Sequence, residues 1–174
     1  MVGWILGGTQ DYYKVDFDYR RYQPLSNGRV FAFRAKIGRM GRLFDNAPYI
    51  PSYDLFYLGG STSLRGWTAQ RYLTSKSDGL VRPVGGLIKV LFNSELRIPI
   101  GGIFGVDLFV DGGILAVSLS ELANQVDAWK EGAGWNYGAE LTVSTPLGPI
   151  RLYYAIPFTE PGKSVINLGV PYAF

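Results

Sequence analysis

Two absences limit the chemistry open to this chain: its 174 residues include neither a histidine nor a cysteine. Without imidazole there is no Ser-His or Cys-His pair to activate a nucleophile, and no imidazole metal ligand. Without thiolates there is no disulfide framework and no thiolate zinc site. Carboxylates remain. Asp107 and Asp111 share one face of a strand-like segment, but four positions along a strand is roughly 13 Å, too far for a carboxylate dyad. No catalytic residue, no metal and no cofactor is therefore expected. The side chain that stands out is an arginine, Arg65, in Leu64-Arg65-Gly66-Trp67, shortly after Gly59-Gly60. A guanidinium set between apolar neighbours is either gripped by a carboxylate or carbonyl fork or is a solvated surface arginine. The residue alone leaves both readings open.

The elements that must position Arg65 are strands. Aromatic and aliphatic residues alternate with charged, polar and small ones at period two, in segments of about ten residues. Tyr13, Val15, Phe17 and Tyr19 alternate with Lys14, Asp16, Asp18 and Arg20, and Phe31, Phe33, Ala35 and Ile37 with Ala32, Arg34 and Lys36. The same pattern recurs over residues 86–98, 103–114, 134–144, 149–157 and the final segment to Phe174. With the short apolar run Val2–Leu6, the chain holds seven clear strands and one short one. Asn27-Gly28 marks a hairpin between the first pair of clear strands. Residues 118–130 break the pattern. Ser118 and Glu121 have capping-box spacing, and Leu119, Leu122, Val126 and Trp129 form a helical stripe, read as a short helix packing over one end of the strands.

One face of these strands is almost unbroken apolar surface and the other carries ions and glycine. A soluble sandwich buries the apolar face, whereas a membrane barrel turns it to lipid and its polar face to the lumen. Connection lengths separate the two. Turns at 23–28, 99–102 and 145–148 are short, while surface loops at 42–84 and 115–133 are long. Outer-membrane barrels show this asymmetry. The fold expected is all-β: one transmembrane antiparallel β-barrel domain over residues 1–174, with about eight strands. Tyr172 and Phe174 would sit in an interfacial aromatic girdle. No run is apolar and long enough for a transmembrane helix, and Met1-Val2-Gly3-Trp4 lacks the basic start of a signal peptide. A net charge of +3 is too small to imply nucleic acid.

Gly59-Gly60 followed by Leu64-Arg65-Gly66-Trp67 resembles the loop signature of the BamA/TamA outer-membrane assembly superfamily. Trp67 replaces the Phe or Tyr commonest at its position. Asn93-Ser94-Glu95-Leu96-Arg97 is similar to the strand after that loop. Phe109-Val110-Asp111-Gly112-Gly113 is similar to a Phe-x-Asp-x-Gly strand motif, and Thr145-Pro146-Leu147-Gly148-Pro149-Ile150-Arg151 to the penultimate hairpin. The terminal aromatic Phe174 resembles the family's terminal strand signal, with Tyr172 on the same face. These motifs belong to the carboxy-terminal half of the family barrel. The resemblance implies a loop folded back into the barrel, with Arg65 paired to Asp111 and Glu95 nearby. It also implies an outer membrane, bacterial or organellar, as the location. The function implied is non-enzymatic assembly, insertion or translocation of client outer-membrane or secreted polypeptides.

Family barrels usually have sixteen strands. This chain is then an excised half, one of two copies that complete a barrel, or a small barrel closed on itself. A passive structural or pore-forming outer-membrane barrel is the alternative function, in which inward charges plug or line the lumen. A soluble lipocalin-like binder and an outer-membrane hydrolase are weaker readings.

Overall fold

The computed structural model describes residues 11–44, 49–77, 79–146, 148–159 and 162–169. The short run Val2–Leu6 and the terminal pair Tyr172 and Phe174 lie outside them. The elements are β1 (Tyr12–Pro24), β2 (Val30–Arg42), β3 (Thr74–Ser77), β4 (Leu80–Pro83), β5 (Ile88–Gly101), β6 (Phe104–Ala116), α1 (Leu119–Lys130), β7 (Trp135–Thr145), β8 (Gly148–Pro157) and β9 (Val165–Gly169). Seven strands form one antiparallel sheet in the order β1-β2-β5-β6-β7-β8-β9, and β3 and β4 pair separately. Those seven are the alternating segments. The β3–β4 hairpin inside the long connection is too short to show a period.

The sheet is inside out relative to a soluble sandwich. On its outward face Phe17, Ile37, Leu108, Leu152 and Ile166 are 62, 57, 48, 45 and 71% exposed, whereas on the opposite face Asn93, Glu95, Asp111 and Asn136 are 0% exposed. That arrangement suits a lipid-facing wall and a packed polar interior. The hairpin turns sit where sequence placed them: Asn27 and Gly28 adopt φ of 60° and 71° between β1 and β2. No helix among the described residues is long and apolar enough to cross a membrane.

Register aligns the inner face in rows. Arg34, Asn93, Asp111 and Asn136 lie side by side across β2, β5, β6 and β7. Ala32, Glu95, Phe109, Gly138 and Ala155 form the next row, from β2 to β8. Against these rows lies part of the connection between β2 and β5. Ile50, Phe56, Leu58 and Leu64 pack with Tyr12, Met40, Leu91 and Leu115 into the main apolar cluster. Among the described residues β1 and β9 do not pair, so the sheet is open. The described residues form no self-closed eight-stranded barrel, whose interior would have no room for this segment.

Helix α1 begins as its cap dictates: Ser118 Oγ accepts the Glu121 amide at 3.1 Å, and Glu121 accepts from the Val117 amide at 2.7 Å. The helix lies at one end of the strands as expected, but against the outer wall rather than across the opening. Trp129 stacks on Trp135, centroids 4.5 Å apart, and Trp135 shares the outward face of β7 with Tyr137 and Leu141. A helical stripe shows which side of a helix packs, but not which surface receives it.

Candidate functional site: a buried arginine on the inner wall

Backbone turns first shape the segment that carries Arg65. Gly59 and Gly60 have φ of 115° and 95°, and the Gly60 amide donates to the carbonyls of Leu64 and Trp67 at 3.0 and 2.8 Å. This tight turn presents Leu64 and Arg65 to the sheet. Leu64, 0% exposed, packs over Gly113, where a Cβ would stand 2.8 Å from its Cδ1. Gly66 rides directly on β7: a Cβ there would be 2.6 Å from the Cβ of Asn136. Trp67 closes the loop's own packing, edge to face with Tyr72 at 5.1 Å.

Arg65 is fully buried, and its fork is occupied on both prongs. Nε and Nη2 donate to the two oxygens of Asp111 at 2.9 and 2.6 Å. Nη1 donates to Glu95 Oε1 at 2.5 Å and lies 3.5 Å from Glu140 Oε2. The Arg65 amide adds a bond to Asp111 at 3.2 Å. The guanidinium lies over the Phe109 ring, 3.5 Å from its centroid, so its flat face is covered as well as its edge. Phe109 reaches that position because its neighbour on β7 is Gly138, where a Cβ would be 2.6 Å from the ring.

The carboxylates are held in turn. Asn93 Nδ2 bridges Asp111 at 2.8 Å and the Ser63 carbonyl at 2.7 Å. Arg97 grips the free oxygen of Glu95 at 2.9 and 3.0 Å. Arg151 pairs with Glu140 at 2.9 Å. Arg65, Arg97 and Arg151 thus face Glu95, Asp111 and Glu140 in a balanced cluster. Burial pushes the Arg65 guanidinium towards deprotonation, but Asp111, followed by Glu95 and Glu140, more than offsets it. The net shift is above its ordinary value, so the arginine stays charged.

A second anchor holds the same loop further along. The Phe56 ring, 4% exposed, lies between the ammonium groups of Lys14 and Lys89, at 4.8 and 4.5 Å. Lys14 also donates to the Asp54 carbonyl at 2.5 Å, and Lys89 to Asp16 at 2.7 Å. The loop is therefore fastened to β1 and β5 at one end and to β5, β6 and β7 at the other.

Leu64, Arg65, Gly66, Glu95 and Asp111 come together at one place, and Trp67 packs beside it. Arg97 and Arg151 ended two of the quoted motifs with no role assigned to them, and Glu140 was legible only as an inward charge. Asn93 and Phe109 opened the two strand motifs without a role being assigned to them, and Asn136 belonged to no motif. Phe109 had a second signal, an aromatic ring on an otherwise polar face. Chemically the cluster is a clasp. Its carboxylates are engaged by guanidinium groups rather than poised for proton transfer. Among the described residues no group of acidic side chains has the geometry to hold a metal ion.

The family model described as the Omp85 superfamily domain matches residues 1–170. The outer membrane protein assembly factor BamA of Nitratidesulfovibrio vulgaris is 26% identical over 157 residues, covering 89% of this chain and 19% of that protein. Outer envelope protein 80, chloroplastic, of Arabidopsis thaliana is 29% identical over 120 residues, covering 68% of this chain and 15% of that protein. Among solved structures, BamA from Haemophilus ducreyi lacking POTRA domains 1–3 superposes with a TM-score of 0.67 at 22% identity, covering 91% of this chain and 34% of that one. The likeness of fold is to part of a larger barrel: the chain spans less than a fifth of the length of these two curated relatives.

Proposed function

The chain belongs to the Omp85 superfamily, and from that premise we propose that it is the carboxy-terminal barrel portion of an outer-membrane protein that inserts or passes other polypeptides. Its location on this reading is the outer membrane of a bacterium or the equivalent organelle membrane. Its partners are the lipid bilayer and client outer-membrane or secreted chains. The work is non-enzymatic: the wall is held in one shape while a free strand edge pairs with a client strand.

The observation that carries this reading is the docking of Arg65 into Asp111 and Glu95 on the inner wall. A buried ion pair is weak evidence for stability, because desolvation cancels much of its attraction. It is better suited to selecting one loop conformation, since a misplaced loop leaves uncompensated buried charges. Leu64-Arg65-Gly66-Trp67 is then a lock that keeps the long loop inside.

The test is an insertion assay in lipid vesicles, using the protein that carries this chain with Arg65→Ala or Asp111→Ala. Both variants should still form the sheet by infrared spectroscopy, yet insert a client barrel at least several-fold more slowly. Unchanged insertion by both, with the loop shown by proteolysis to be released, would remove the lock from the mechanism.

A further inference from the structure

The outward wall carries a feature that the lock does not use. Aromatic rings run across it from strand to strand. Tyr19 meets Phe33 at 6.3 Å, Phe33 meets Phe92 at 4.9 Å, and Phe92 meets Trp135 at 5.8 Å. Trp135 reaches Phe92 by crossing β6 at Gly112, where a Cβ would stand 2.8 Å from the indole ring. The run ends off the sheet, on the helix: Trp129 of α1 stacks on Trp135 at 4.5 Å and 23°. The Trp129 carbonyl also accepts the Trp135 indole N–H at 3.1 Å. On the other side Phe158, 52% exposed, packs with Tyr137 at 5.1 Å. Trp129, Trp135, Phe158, Lys130 and Gly132 line a cleft of about 390 Å³ that opens outward.

We propose that α1 is an interfacial anchor, held at the lipid–water boundary by the Trp129–Trp135 stack, and that the cleft against Phe158 takes an acyl chain of the surrounding bilayer. Three observations support the occupant. The cleft is continuous with the apolar wall of β7 and β8, where Leu141 and Leu152 are 41 and 45% exposed. Its walls are two indole rings, which favour the headgroup boundary because they are apolar with a polar N–H edge, and the wholly apolar ring of Phe158. Its rim holds Lys130, ion-paired to Asp127 at 2.9 Å with both side chains largely exposed, the polar side that a surface-lying helix keeps in water. The loop over residues 115–133 is thereby tied to the outside of the wall, not closed over its mouth.

This inference rests on the membrane placement of the sheet but not on the lock. The chain has no cysteine, so a single introduced one is a unique site for a nitroxide label. In phosphatidylcholine vesicles the full chain is labelled in turn at Phe158→Cys, Lys130→Cys, Leu141→Cys on the wall and Ser75→Cys on the exposed β3. Collision rates with oxygen, which concentrates in lipid, and with a water-soluble nickel chelate report immersion. Expected is an oxygen preference at Phe158 that is shallower than at Leu141, an intermediate value at Lys130, and a nickel preference at Ser75. Trp129→Ala should raise nickel access at Lys130 several-fold and leave Leu141 unchanged. Nickel access at Phe158 and Lys130 equal to that at Ser75 would overturn the proposal. So would poor access of both reagents at those two sites, the mark of a helix covered by protein. Nickel preference at Leu141 as well would overturn the membrane placement of the sheet, and this inference with it.

Discussion

Arg65 joins one loop to three strands through contacts that are all desolvated, so its replacement has an asymmetric effect. Arg65→Ala leaves Asp111, Glu95 and Glu140 facing one another with one cation removed. Breaking a buried pair in this way costs about 3–5 kcal/mol, here drawn from loop docking. Limited proteolysis should find residues 56–72 opened while the sheet resists. Arg65→Lys keeps the charge but not the fork, and cannot span Asp111 and Glu95 together; it should restore only part of the protection. Gly66→Ala tests the same lock without touching a charge. Its methyl group meets Asn136, and overpacking of this kind costs about 1–3 kcal/mol, so the loop should open while every ion-pair partner is intact. The sign of the Arg65 shift sets a pH expectation. A cation held above its ordinary value keeps its contribution at every pH below that value and loses it only above. Between pH 7 and roughly 9, below the ordinary ranges of both arginine and lysine, protection of residues 63–67 in the same protease assay should therefore not change. Opening there would place the cation of the lock elsewhere.

At the scale of elements, α1 and the long connection were legible to different depths. The cap of α1 is a local signal, since Ser118 reaches its own next turn. Ser118→Ala should cost about 1 kcal/mol, seen as faster amide exchange across Leu119–Lys130 with β6 and β7 unchanged. Where α1 rests was not local, because it depends on Gly112 leaving a trough for Trp135. The adjacent glycines of β6 serve opposite faces: Gly112 admits Trp135 outside, and Gly113 admits Leu64 inside. Alternation assigns those faces, but nothing in the order of residues says what lands on them. The β3–β4 hairpin was invisible for a related reason, since four-residue strands with exposed side chains have no buried face to impose a period.

For the whole molecule, the open sheet sets the expectation. Strand edges in lipid leave amides and carbonyls without partners, and the inner face is already occupied by the loop. The chain alone in detergent should therefore associate through its edges. Light scattering with the detergent contribution subtracted should give a particle near two chains. A mass of one chain would mean that the edges are satisfied within it, and the inward loop would then have to move out. Conductance distinguishes the passive pore: a wall whose lumen side is filled by residues 56–67 should pass little current until Arg65→Ala frees the loop.

Sequence by itself determined the period, and with it the seven strands of the sheet, the face of every side chain along them and the capped start of α1, because these depend on neighbours two to four residues away. The motif resemblance pointed to Arg65, Asp111 and Glu95 as partners. Only the tertiary structure decided that Asn93, Phe109 and Asn136 surround them. Lateral register between strands sets which inward residues share a row, and register is fixed by pairing over long separations. The same holds for the loop's place against the inner wall and for the helix on the outer one. Both depend on gaps opened by glycine in distant strands, and a missing side chain becomes a site only when the fold brings something to fill it.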